Sequence, residues 1–198
     1  VGNVMIDTLF SQLENIVPAA LTIGERFQSQ NIEENGFALL TMHRPSNVDS
    51  KLILEQLLQA INKISETLTV VFPVHPRTKK QIEEFNLSHL IDTPNIIVKE
   101  PLGYREMLGL MSTARVVLTD SGGIQEETTA LGVPCITLRD STERPITVTH
   151  GTNTVVGTDN SRIMAAFSDL LATGGKKGNV PDKWDGKTAA RIVRILKD

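Results

Sequence analysis

The chain has 198 residues, 40% of them hydrophobic and 22% charged, with a formal net charge of −3. That length suits one large domain or two small ones with a substantial core, and the composition is ordinary for a soluble globular protein. The negative balance excludes broad nucleic-acid binding, though a local basic cluster can still meet a phosphate, and no apolar run is long enough to span a bilayer.

In chain order, the leading segment NVMIDTLFSQLENIVPAALTIGERFQ (3–28) is helical in pattern and interrupted at Pro18. It runs into the polar stretch SQNIEENG, so residues 1–35 are read as a leading helix and linker. FALLTMH (37–43) is a compact apolar run and therefore a buried strand. SKLILEQLLQAINKISETL (50–68) carries apolar residues at helical spacing, with Asp49 or Ser50 as its cap. The unit then repeats: strand 69–75 and helix 77–85, strand 95–101 and helix 104–114, strand 115–120 and a helix through Leu131. PCITL (134–138) is a strand in which the single cysteine, Cys135, reads as inert core and leaves no internal disulfide possible. A short helix around 143–150, a strand at 153–157 and a helix from about 161 to 172 follow. Residues 173–186 are a glycine-rich loop, and 187–198 a closing amphipathic helix. Five or six parallel strands alternating with helices predict a doubly wound α/β fold.

Ligands of such sheets collect beyond the carboxyl ends of the strands. The residues expected there are His43 and Arg44, His75 and Arg77, Glu100, Asp120 to Gly123, and Arg139 to Arg144. DSGGIQEE (120–127) places two glycines where a strand hands over to a helix, so backbone amides at the positive helix end can approach an anion closely. Ser121 can cap that helix or donate to phosphate, and Glu126 or Glu127 can accept from ribose hydroxyls. A tight turn with an ordinary N-cap fits the same residues. RDSTERP (139–145) offers arginine forks for a diphosphate, or a local Arg–Glu pair in a solvated loop. His43, beside Arg44, can donate a proton or bind phosphate. His89 falls on the opposite rim, His150 can line the site or cap a helix, and Trp184 reads as packing. The histidines are too scattered, and no acidic cluster has the spacing, for a metal site. Neither GxGxxG after the first strand nor GxxxxGK[ST] is present, and no nucleophile elbow orders a Ser-His-Asp triad.

DSGGIQEE (120–127), ALGVPCITLRDSTERP (130–145) and GTNTVVGTD (151–159) together closely resemble the non-hydrolysing UDP-N-acetylglucosamine 2-epimerases. GNVMID (2–7), His43-Arg44 with Asn47, and Pro73 with His75 match the same family, so the resemblance runs over essentially the whole chain. It implies the C-terminal, Rossmann-like half of a two-domain glycosyltransferase-B architecture. Residues 36–183 would be the UDP-binding domain and 184–198 a closing helix that packs back on the N-terminal domain. It implies that Ser121, Gly122 and Gly123 meet the diphosphate, that Glu127 holds the ribose, and that Arg144 reaches the nucleotide. Leu102 and Met107 fall at the uracil, His43 at a catalytic histidine, and Arg44 and His75 at a regulatory UDP-sugar site found in some members. Two positions depart from the family: Ser46 replaces the glutamate of His-Arg-x-Glu-Asn, and Leu102 stands where glutamine is common.

The activity so implied converts UDP-GlcNAc to UDP-ManNAc by eliminating UDP and adding it back to the other face, without cofactor or metal. The expected partners are UDP and UDP-GlcNAc, with neither nucleic acid nor membrane, and a homodimer for the full-length protein in the cytoplasm. No signal-peptide pattern opens the sequence, and it begins at Val1 rather than methionine. The expectation is therefore a chain processed or cut from something longer, inactive without the domain that carries the family's catalytic carboxylates. The alternatives are a donor-binding domain of a glycosyltransferase of the same architecture and a non-enzymatic UDP-sugar sensor.

Overall fold

Alternation along the central strands sorts their side chains into two layers. Ala38, Leu40 and Met42 fall in one buried cluster with Val70, Phe72, Val116 and Leu118, whereas Phe37, Leu39, Val71 and Val117 fall in the other. Successive residues of a strand point to opposite faces, so a sheet apolar on both must be covered twice. In the computed structural model, which describes residues 1–197, the strands are β1 (Ala38–Thr41), β2 (Val70–Pro73), β3 (Ile96–Lys99), β4 (Val116–Thr119), β5 (Cys135–Thr137) and β6 (Asn153–Val155). They form one sheet of order β3-β2-β1-β4-β5-β6, with every pairing parallel. This is the doubly wound α/β arrangement expected from the alternating pattern.

The leading segment forms α1 (Val4–Gln12), α2 (Ala19–Ile23), α3 (Arg26–Ser29) and α4 (Ile32–Asn35). The strands are then connected by α5 (Pro45–Val48), α6 (Lys51–Ser65), α7 (Pro76–Glu84), α8 (Tyr104–Thr113), α9 (Gly122–Leu131) and α10 (Pro145–Thr149). The chain closes with α11 (Asn160–Thr173) and α12 (Thr188–Lys197). Each expected strand is present, two or three residues shorter than the run that announced it. Leu54, Leu57, Leu58, Ile61 and Ile64 make one stripe along α6 and bury it against the first layer with Ile163, Phe167 and Leu170 of α11. The other layer is closed by Leu9, Ile23, Leu108, Leu110 and Met111 from α1, α2 and α8. At the end of α9, Gly132 takes a left-handed φ of 72°, the conformation that lets the chain turn at once into β5.

The leading segment departs from expectation. Where a linker was read, at SQNIEENG, α4 forms and buries Ile32, because one apolar side chain in a polar stretch is enough to anchor a short helix, while the stretch read as a leading helix is divided among α1, α2 and α3. At the other end α12 is joined to α1 through Asp7, whose carboxylate accepts hydrogen bonds from the Thr188 and Ala189 amides at 3.1 and 2.7 Å. Burial raises the Asp7 carboxyl, but these bonds outweigh it and hold the group below its ordinary value. Val193, Ile195 and Leu196 remain exposed on α12. Trp184 packs on Ile6 and Ala130 beneath it.

Candidate nucleotide site at the sheet switch point

The strand order reverses between β1 and β4, so the loops after these two strands diverge and leave a crevice at their carboxyl ends. Thr41 and Thr119, the last residues of the two strands, share a hydrogen bond between their hydroxyls at 2.7 Å. Immediately beyond lies Asp120, fully buried. Its carboxylate accepts from the backbone amides of His43 at 3.0 Å and Arg44 at 2.8 Å, and from Asn47 Nδ2 at 3.3 Å. His43 Nδ1 stands 3.1 Å from Asp120 Oδ1. A buried carboxylate thus fixes both the main chain and the ring of His43. Asn47 is tied in turn to the carbonyl of Leu138 at 2.8 Å, which joins the loops after β1, β4 and β5.

Helix α9 opens at this crevice. Ser121 is its N-cap in extended conformation, and its hydroxyl caps no amide. The amides of residues 122 to 124 precede the first intrahelical acceptors and so form the positive helix end. Arg144 flanks them: a Cβ built on Gly122 would lie 3.8 Å from Arg144 Cγ. Arg144 Nε pairs with Glu126 at 3.2 Å, while its two terminal nitrogens have no protein partner among the described residues. Arg139 has no such freedom, since it forms a double hydrogen bond to Glu143 at 2.7 Å for both pairs. That pairing pushes the Glu143 carboxyl down to about 2, helped by the nearby charge of Arg44. Of the two readings of RDSTERP, the local ion pair therefore describes Arg139, and an available fork describes Arg144.

The adjacent carboxylates of α9 have separate fates. Glu126 Oε1 accepts from Asn3 Nδ2 at 3.0 Å as well as meeting Arg144, and its Oε2 is sealed without a partner. Glu127 Oε1 accepts from the Tyr104 hydroxyl at 2.9 Å. Among the described residues its Oε2 has no hydrogen-bond partner, and it is not sealed, so that oxygen opens to solvent. Burial pushes the Glu127 carboxyl above its ordinary value against the opposing effect of Tyr104; burial and the Glu127 charge push the Tyr104 phenol upward as well.

A cavity of about 180 Å³ lies beside the α9 terminus, and five of the residues singled out from sequence line it: His43, His75, Leu102, Met107 and Ser121. The rings of His43 and His75 stand 5.6 Å apart. Gly122, Gly123 and Arg144 are not among its lining residues: the glycines follow Ser121 in the first turn of α9, with Arg144 against Gly122, and Arg44 contributes its backbone amide to the Asp120 cluster. The other strand-end ions are occupied: Arg77 bonds Asp49 and Lys79 bonds Glu100. His89 lies on an exposed turn, and His150 ends α10 with a bond to the Thr149 hydroxyl at 2.9 Å. Cys135 is buried and its thiol is pushed up to about 11 by that burial, as inert core requires. A larger cavity of about 620 Å³ runs along the outer edge of β3, but it contains none of the convergent groups described above.

Three residues central to this geometry carried little signal. Asp120 and Asn47 stood in recognised motifs without any indication that one holds the other. Tyr104 read only as the first residue of a helix, because its partner is 23 positions away. Among the described residues no three His, Cys, Asp or Glu side chains stand together as metal ligands, and no helix is long and apolar enough to cross a membrane.

The UDP-N-acetylglucosamine 2-epimerase family model matches residues 1–197. The UDP-N-acetylglucosamine 2-epimerase of Methanocaldococcus jannaschii is 42% identical over 200 residues, covering 99% of this chain and 53% of that protein. The crystal structure of the M. jannaschii enzyme in complex with UDP-GlcNAc and UDP matches with a TM-score of 0.82 and 40% identity, over 100% of this chain and 54% of that one. The Neisseria meningitidis UDP-GlcNAc 2-epimerase bound to UDP-GlcNAc gives 0.79 and 31%, again over 100% and 54%. The chain thus spans about half the length of the relatives it matches. With the family model matching residues 1–197 and a solved member superposing over the whole of this chain, the chain belongs to the UDP-N-acetylglucosamine 2-epimerase family.

Proposed function

We propose that the chain is the C-terminal, UDP-binding half of a non-hydrolysing UDP-GlcNAc 2-epimerase of glycosyltransferase-B architecture. Residues 36–183 are the nucleotide domain, and 184–198 the segment that packs on the other half. The diphosphate lies on the amides of Gly122 and Gly123 with Ser121 and Arg144 around it, and Glu127 accepts from the ribose. Uracil lies against Leu102 and Met107. The observation that carries this reading is the convergence, at the one switch point of the sheet, of an uncapped helix N-terminus, the free fork of Arg144 and the open oxygen of Glu127.

In the elimination step the C1–O bond of the sugar breaks and the diphosphate gains negative charge, while a base removes the proton from C2. The helix end and Arg144 stabilise that charge as it develops and retain UDP for its return. His43, held through Nδ1 by Asp120, exchanges a proton with the departing oxygen. The base for C2 belongs to the half of the family's chain not matched here, so this chain binds UDP without turning over UDP-GlcNAc. The whole protein acts in the cytoplasm as a homodimer, without nucleic acid or membrane. Arg44 and His75 serve a regulatory UDP-sugar site.

The test is a crystal of this chain soaked in UDP, together with an assay for UDP-ManNAc. Density for the diphosphate on residues 121–123 and no turnover are expected. Nucleotide density elsewhere overturns the site, and epimerisation by this chain alone overturns the division of labour. Sugar transfer without C2 inversion by the complete protein would instead make it a glycosyltransferase, and effects on a partner without turnover a sensor.

A further inference from the structure

Glu127 sits on the second turn of α9, only 8% exposed, and among the described residues the Tyr104 hydroxyl is its only hydrogen-bond partner. Tyr104 is the first residue of α8, and the start of that helix is itself fixed: the Gly103 amide donates to Glu106 Oε2 at 2.8 Å. Tyr104 as a residue is 40% exposed and belongs to none of the buried clusters. Leu102 and Met107, on either side of it in sequence, line the cavity beside α9. Tyr104 therefore reaches from the start of α8, between two residues that line the cavity, across to a carboxylate on the neighbouring helix, and it takes one oxygen while the other stays open.

We propose that Tyr104 is a positioning residue for the nucleotide: its hydroxyl holds Glu127 Oε1 so that Oε2 is presented to the vicinal diol of the ribose. This rests on the assignment of the nucleotide site above. A glutamate without that bond has free rotamers to lose when ligand arrives, and the lost freedom weakens binding. The sequence neighbour Glu126 has no such role, because its Oε1 is already shared between Asn3 and Arg144 and its Oε2 is sealed. A carboxylate also accepts only, so an aimed Oε2 distinguishes a ribose that donates two hydroxyls from one that donates a single hydroxyl.

The experiment is calorimetric titration of this chain with UDP and with 2′-deoxy-UDP, for the parent, Tyr104→Phe, Glu127→Gln and the double variant. Tyr104→Phe keeps the ring and removes one hydroxyl. It is expected to weaken UDP binding by about three- to tenfold, the effect of one side chain left unordered. The loss should be smaller for 2′-deoxy-UDP and nearly absent when Glu127 is already glutamine. A second readout is the pH dependence of UDP affinity. The groups facing Glu127 are Tyr104 from α8 and Glu126 from its own helix, and the Tyr104 bond opposes the upward push of burial. Tyr104→Phe should therefore move the acid limb of binding to higher pH, while titration of the phosphate is common to both proteins. An unchanged or tighter UDP affinity in Tyr104→Phe overturns the proposal, as does an equal loss for both nucleotides in both backgrounds. If Glu127→Gln weakens UDP and Tyr104→Phe does not, only the positioning role fails; if Glu127→Gln changes nothing, the nucleotide assignment fails with it.

Discussion

Replacing Asp120 by alanine should be far more damaging than its single side chain suggests. The carboxylate accepts from two backbone amides, those of His43 and Arg44, and from Asn47 Nδ2, all of which close the crevice between β1 and β4. Asn47 keeps its bond to Leu138, so the residue truly orphaned is the loop after β1. A buried donor left without an acceptor costs about 1–3 kcal/mol. His43 and Arg44 are half-buried and water can satisfy part of the loss, so about 2–4 kcal/mol is expected for Asp120→Ala together. With a urea slope of about 2 kcal/mol per M, the unfolding midpoint should fall by about 1–2 M. Asp120→Asn retains one acceptor oxygen and should lose roughly half as much. Both variants should bind UDP more weakly than the parent even where fully folded, because the loop carrying His43 is no longer pinned. A midpoint for Asp120→Ala within about 0.3 M of the parent would show that this carboxylate does not hold the crevice together.

Glu127→Gln gives a prediction with a definite sign in pH. Burial raises the folded carboxyl above its ordinary value of 4.5. The folded state therefore keeps its proton after the unfolded chain has lost it, and the parent loses stability as pH rises from about that value through the raised one. Thermal melts between pH 4 and 8 should show Glu127→Gln gaining on the parent with rising pH; a constant difference would refute a buried ionising group. Gly109 and Gly123, both facing the leading segment, should respond differently to alanine. A Cβ on Gly109 would lie 1.8 Å from the Val17 carbonyl oxygen, so Gly109→Ala must push α8 off that segment and should cost about 1–3 kcal/mol or more by urea unfolding. At Gly123 the nearest atom is the flexible end of Met5 at 2.9 Å, and a loss below about 1 kcal/mol is expected. Equal losses would mean that α8 does not rest on the backbone at Val17.

How far the sequence could be read depended on whether a residue's partner was local. FALLTMH and RVVLTD showed strands because apolar runs bounded by polar residues report burial on both faces, and β1 and β4 lie within them. The stripe from Leu54 to Ile64 showed α6 for the same reason, at the helical period. SQNIEENG was misread as a linker because composition averages over the window, and one buried Ile32 decides the matter only once the sheet exists to receive it.

The candidate site divides in the same way. DSGGIQEE by itself determined a helix that begins beyond a strand with bare amides, since turn chemistry and capping act over four or five residues. It left open which of two adjacent glutamates was free, and RDSTERP left open which arginine. Those choices were made by Asn3, Tyr104 and Glu143, which settle Glu126, Glu127 and Arg139 through contacts that exist only in the folded chain. Hydrogen bonds of that kind need two groups within about 3 Å in the right orientation, and nothing along a one-dimensional chain records which distant groups will meet.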